Sequence, residues 1–194
     1  MAAIRLFIAI DTPATVKEEI LATLGRLRES GADVRWEDPR KLHLTLKFLG
    51  ETDEALLPAI GAAAGKVAAL TPPLTVRYRG LGCFPARRDP RVIWIGMEEP
   101  SGLLAALQER CEQEMESLSF RREERTFHPH ITIGRVRSQR NVRGLLRVLE
   151  SSTFESPAVR LDALRVVRSD LRPAGSVYTI LQSYPFTAIP APNE

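Results

Sequence analysis

Histidine is scarce in this chain, with 3 among 194 residues, and cysteine is scarcer, with 2. Cys83 and Cys111 are isolated and form no CxxC pair, which argues against a disulfide-stapled secreted scaffold and against a cysteine-based zinc site. Long hydrophobic runs are also missing. Leu6 to Ile10 ends at Asp11 and is too short for the core of a secretory signal. Ala55 to Leu70 is interrupted by Pro58, two glycines and Lys66, and falls short of the roughly 20 apolar residues a membrane span needs. These absences predict a cytoplasmic protein with no membrane role. Lysine supplies only 4 of the 27 basic residues.

What is present is ordinary globular material, 44% hydrophobic and 26% charged, long enough to bury a core without staples. The net charge of +3 conceals a stretch from Arg121 to Arg147 holding 8 Arg and 2 Glu. Arginine offers a planar fork suited to phosphate, which points to an anionic substrate. Base composition of the source genome would produce the same arginine bias, so charge alone does not choose.

The hydrophobic pattern predicts a strand over Arg5–Ile10, then a helix to about Ser30 with its start chemistry in Asp11-Thr12-Pro13. Strands follow at 34–36 and 42–49, a helix from Thr52 or Asp53 to Leu70, and strands at 74–79 and 91–97 around a turn-rich loop, Pro85 to Pro90. The second half predicts a helix over 102–118 capped by Ser101, a strand at 130–136, a helix at 141–149, and strands at 159–168 and 177–184. A loop with Pro173 and Gly175 joins the last two, and a frayed tail runs from Ile189 to Glu194.

This order is an internal duplication. Arg5-Leu6-Phe7-Ile8 aligns with Arg91-Val92-Ile93-Trp94 at an offset of 86, and His43-Leu44-Thr45-Leu46 with His130-Ile131-Thr132-Ile133 at an offset of 87. The expected fold is α+β, bilobal and internally duplicated, with each lobe contributing one HxTx strand to a shared central cleft. The whole of 1–194 is then a single catalytic domain of two pseudo-symmetric, interdigitated lobes.

Residues two apart on a strand share a face. His43 and Thr45 therefore look one way and Leu42, Leu44 and Leu46 the other; His130 and Thr132 stand likewise above Ile131 and Ile133. Two imidazoles across a cleft can divide acid and base work near neutral pH, because a histidine titrates near pH 6.5. Opening a phosphodiester needs a base on the incoming water and an acid on the departing oxygen, and the threonine hydroxyls can donate to the phosphate oxygens. No carboxylate cluster accompanies the motifs, so a two-metal phosphoesterase is not indicated.

The run His43-Leu44-Thr45-Leu46-Lys47-Phe48-Leu49-Gly50, with Phe127-His128-Pro129-His130-Ile131-Thr132-Ile133-Gly134-Arg135, resembles the paired signatures of the 2H phosphoesterases. Within them the chain is most similar to the RNA 2′,3′-cyclic phosphodiesterase group, also called 2′-5′ RNA ligases. The first strand and the tail from Leu164 to Tyr184 extend the resemblance over nearly the whole chain. It implies two antiparallel β-sheets lining a central cleft with helices packed outside, and a reaction without metal or other cofactor on an RNA or nucleotide ending in a 2′,3′-cyclic phosphate, opened to a 2′-phosphate, with ATP-independent 2′-5′ joining from the same machinery. It implies that His130 is the proton acceptor, His43 the proton donor, and Thr45 and Thr132 the phosphate holders. Arg135 is implied as a phosphate or RNA contact; strand parity sets it opposite His130, and a bulge at Gly134 would re-aim it. Phe7 and Tyr178 are candidates to stack a terminal base. A monomer is expected. Two alternatives stand beside this reading: a three-histidine zinc site using His128 and a non-catalytic RNA-binding module.

Overall fold

The computed structural model describes residues 3–86, 89–173 and 175–187. Its strands are β1 (Ala3–Asp11), β2 (Val34–Trp36), β3 (His43–Asp53), β4 (Leu74–Phe84), β5 (Val92–Glu98), β6 (His130–Val136), β7 (Val159–Leu161), β8 (Ala163–Asp170) and β9 (Val177–Pro185). The helices are α1 (Ala14–Arg28), α2 (Leu57–Ala69), α3 (Leu103–Glu116) and α4 (Val142–Ser151). All strand pairings are antiparallel, in the order β7-β4-β5-β6-β3-β1-β8-β9, with β2 added on β6.

The duplicated halves exchange strands. β4, which closes the first half in sequence, pairs with β5 of the second, and β8 of the second half pairs with β1 of the first. The centre of the order is the β6–β3 seam, where the two motif strands meet at Leu44 opposite Ile131. Carried one residue either way, that register sets His43 across from Thr132 and Thr45 across from His130.

One face of this curled sheet is apolar because alternate residues point the same way. Leu6, Ile8 and Ile10 of β1, Leu44 and Leu46 of β3 and Ile131 and Ile133 of β6 are buried in a single cluster. The helices close it with residues three and four apart: Val16, Ile20, Leu24 and Leu27 of α1; Ile60, Ala64 and Val67 of α2; Leu104, Leu107, Cys111 and Met115 of α3; and Leu145 and Leu149 of α4. The opposite face is left free to form the cleft. No helix among the described residues is long and apolar enough to cross a membrane.

Several boundaries differ from the sequence expectation for identifiable reasons. The single strand expected over 159–168 is two: β7 pairs with β4, whereas β8 pairs with β1 and β9. A hydrophobic run cannot report that its two ends serve different neighbours. Neither Asp11 nor Thr12 caps α1; Asp11 is drawn into ion pairs with Lys17 at 2.8 Å and Arg165 at 2.9 Å. Ser101 does not cap α3 either, since Glu99 accepts from the Leu104 and Ser101 N–H groups. Parts of the Pro85–Pro90 and 173–175 loops, and the tail from Ile189, lie outside the described residues.

Candidate active site

The cleft, about 310 Å³, lies over the paired ends of β1, β3 and β6. His43, Thr45, His130, Thr132 and Arg135 all line it. Both motif strands carry a bulge at equivalent places. On β3 the register against β1 slips between Ile8 and Ala9, whose partners are Lys47 and Thr45, leaving Leu46 as the extra residue. On β6 the register against β5 slips between Ile93 and Trp94, whose partners are Gly134 and Thr132, leaving Ile133 extra. A bulge reverses the alternation beyond it. It brings Arg135 back to the cleft face beside His130 and Thr132, and on β3 it turns Lys47 into the core and Phe48 out to the cleft.

The two imidazoles are held by one device. His43 Nδ1 lies 2.7 Å from the carbonyl oxygen of Lys41, and His130 Nδ1 lies 2.6 Å from that of His128. A carbonyl oxygen only accepts, so each Nδ1 donates its proton and Nε2 is the ring nitrogen left for chemistry. Aromatic rings back both. Phe7 stacks on His43 at 4.7 Å between centroids and Tyr178 meets it edge-on at 5.2 Å. Phe84 meets His130 edge-on at 5.2 Å, with Trp94 at 6.3 Å.

Burial pushes both imidazoles below their ordinary pKa. For His43 the Lys41 carbonyl and the Asp11 carboxylate pull the other way, while Lys17 and Arg135 add to the lowering. For His130 the His128 carbonyl opposes, and the His128 and Arg135 charges add to it. Asp11 stands directly across from His43 on β1, and Gly96 occupies the same position across from His130 on β5. The pair is thus symmetric in geometry and unlike in charge.

The remaining polar groups suit an anion. Arg135 faces Arg35 across the β2–β6 pair, and Glu37 lies 3.6 Å from the Arg135 guanidinium, which stays half exposed. Lys41 lines the cleft and donates to the Ser176 carbonyl at 2.7 Å, tying the start of β3 to the loop before β9. Three arginines at the start of the segment from 121 to 147 are employed elsewhere. Arg121 pairs with Glu124, Arg122 with Glu109 at 2.6 Å, and Arg125 with Glu123 at 3.0 Å. Of its eight arginines only Arg135 lines the cleft, whose other guanidiniums, Arg5 and Arg35, come from distant parts of the chain.

Both aromatic candidates line the cleft, Tyr178 half-buried and Phe7 only 3% exposed, its ring stacked on His43. The open aromatic face belongs to Phe48, 51% exposed and lining the cleft, with the Arg5 guanidinium 4.6 Å from its ring centroid. Strand parity hid Phe48 because the bulge that exposes it leaves no mark in the sequence. His128 contributes its carbonyl to His130, and its ring lies 6.3 Å from Phe84. No three or more His, Cys, Asp and Glu side chains converge as metal ligands among the described residues.

The chain is similar to known proteins over most of its length. The family model of the 2′-5′ RNA ligase superfamily matches residues 16–173. An Archaeoglobus fulgidus protein named RNA 2′,3′-cyclic phosphodiesterase is 35% identical over 182 residues, spanning 93% of this chain and 99% of that one. One of the same name from Methanothermobacter thermautotrophicus is 32% identical, spanning 93% and 98%. Among solved structures, a Thermus thermophilus protein superposes with a TM-score of 0.81 at 29% identity, covering 94% of this chain and 98% of its own. E. coli LigT complexed with 3′-AMP superposes with a TM-score of 0.77 at 26% identity, covering 96% and 100%.

Proposed function

The chain belongs to the 2′-5′ RNA ligase superfamily, and from that premise we propose that it is an RNA 2′,3′-cyclic phosphodiesterase whose two imidazoles open the ring without a metal. One observation carries the acid–base reading: both Nδ1 atoms are committed to backbone carbonyls, so both Nε2 atoms are the acid–base groups of a single cleft.

His130 Nε2, neutral because burial lowers its proton affinity, takes a proton from water. The water oxygen forms a bond to phosphorus, the bond from phosphorus to the 3′ oxygen breaks, and His43 Nε2 gives that oxygen its proton. The product is a 2′-phosphate beside a free 3′-hydroxyl. The bound phosphate anion raises the proton affinity of both rings, and this keeps His43 charged as a donor. Thr45, Thr132 and Arg135 hold the non-bridging oxygens, whose charge grows as the water adds. Phe7 fixes the His43 ring from behind, and the base is received by Tyr178 and Phe48. With the 5′-hydroxyl of a second RNA in place of water, the same groups form a 2′-5′ bond.

The lobes act as one catalytic unit, because each supplies one histidine to the cleft, and a monomer is the expected state. The expected setting is the cytoplasm. The test is hydrolysis of a nucleoside 2′,3′-cyclic phosphate by His43→Ala and His130→Ala. Each loses roughly 100- to 10,000-fold in turnover, the range for a removed general acid or base, while RNA binding survives. Wild-type rates in both variants refute the assignment.

A further inference from the structure

We propose that the buried ion pair Lys47–Glu112 is a strut that fixes the separation of the two histidines, a positioning pair for the reaction above; the inference rests on that functional reading. The need for a strut is visible in the seam. β1 and β3 pair at nine positions, whereas β3 and β6 share one, Leu44 opposite Ile131. The segment from 120 to 129, which leads to His130 and carries the His128 carbonyl that anchors its ring, contains no helix or strand. Something other than the sheet ladder must hold β6 at its distance from β3.

Lys47 lies two residues beyond Thr45, and the bulge turns it beneath the sheet. Its Nζ is 2.6 Å from Glu112 Oε2 on α3 and 2.5 Å from the carbonyl oxygen of Arg121. The same Glu112 oxygen accepts the Glu123 N–H at 3.2 Å, and Oε1 accepts from Gln108 Nε2 at 3.1 Å. Both charged side chains are 4% exposed. One pair therefore joins the first motif strand, the helix of the second half and the irregular segment that ends at His130.

Stability does not account for it. Taking two charges out of water is costly, and apolar side chains of the same volume in their place commonly leave a protein as stable or more so. What apolar side chains lack is direction: the Lys47 ammonium grips the Arg121 carbonyl and the Glu112 carboxylate grips the Glu123 amide. A displacement of about 1 Å in a reacting group can lower a rate on the order of a hundredfold. A loosened segment would shift His130 by its His128 anchor.

The deciding variant is Lys47→Met/Glu112→Leu, which keeps the volume and removes both charges and the grip. It is expected to fold with a thermal midpoint at or above that of the wild type. Amide hydrogen exchange in residues 119–129 is expected to rise at least about tenfold, and kcat on a nucleoside 2′,3′-cyclic phosphate to fall roughly 10- to 100-fold with KM little changed. Unchanged exchange in a folded double variant overturns the strut. Faster exchange with unchanged kcat overturns the positioning role. If the double variant does not fold, Glu112→Gln decides below its own thermal midpoint, which the unpaired Lys47 ammonium lowers: faster exchange in residues 119–129 with lowered kcat supports the strut, and wild-type kcat overturns it. An inactive wild type defeats the functional reading instead, while exchange still reports on the grip.

Discussion

His43 and His130 are held by the same backbone contact, each Nδ1 donating to the carbonyl two residues before it, at 2.7 and 2.6 Å. The duplication has copied a tautomer as well as a motif. What differs is the neighbour across the adjoining strand, a carboxylate for His43 and no side chain at all for His130.

The pH dependence follows from burial. Both imidazoles lie below their ordinary value of 6.5 in the free enzyme. The base must be unprotonated, so kcat/KM rises with pH through the His130 pKa. The acid must be protonated, so it falls again through the His43 pKa. The kcat/KM maximum is therefore expected on the acid side of about 6.5. The kcat maximum should lie at higher pH, because bound phosphate raises both rings. A kcat/KM maximum above about 7 would contradict the burial argument.

Asp11→Asn separates the two histidines. The Asp11 carboxylate pulls the His43 pKa up, against Lys17 and Arg135. Removing it lowers that pKa further and leaves the pKa of His130, on which Asp11 does not act, in place. An NMR titration of both imidazoles should show His43 moving and His130 unmoved; equal movement would show that Asp11 does not set the asymmetry.

Arg135→Ala removes the half-exposed guanidinium nearest the second motif. Hydrogen bonds to a charged partner contribute about 1.5–3 kcal/mol, so kcat/KM should fall roughly 10- to 150-fold on that account. Arg135→Lys should recover only part, since a lysine cannot make the bidentate contact. Steady-state kinetics at fixed ionic strength check both.

Lys47→Met alone leaves the Glu112 carboxylate buried without its cation, which costs about 3–5 kcal/mol. A urea unfolding curve should show this loss. Elsewhere, a methyl group on Gly82 would collide with the Trp94 ring, one of the two aromatics behind His130. Gly82→Ala should cost about 1–3 kcal/mol by overpacking, and should slow turnover by pushing Trp94 toward Phe84 and His130. A variant with native stability and rate would show that the ring moves freely.

Much of the site is legible before any coordinates. Two HxTx strands at an offset of 87 locate His43, Thr45, His130 and Thr132 on equivalent faces, and a bulge at Gly134 is the condition under which Arg135 reaches them. The matching bulge at Leu46 is silent, because no glycine marks it, so parity assigns Lys47 to the cleft and Phe48 to the core, the reverse of their places. Charge counting misleads for a related reason. The arginines of 121–125 are balanced by glutamates that α3 and the same segment supply, while Arg5 and Arg35 reach the cleft from strands whose proximity only the topology creates. The exchange of β4 and β8 between halves is likewise invisible in hydrophobic periodicity, which records burial and not partners.

The most direct test of the account is the position of the phosphate after hydrolysis of an RNA ending in a 2′,3′-cyclic phosphate, with EDTA in excess. Protonation of the 3′ oxygen by His43 predicts a 2′-phosphate as the product, at an undiminished rate. A 3′-phosphate, or activity abolished by EDTA and restored by zinc, would contradict it.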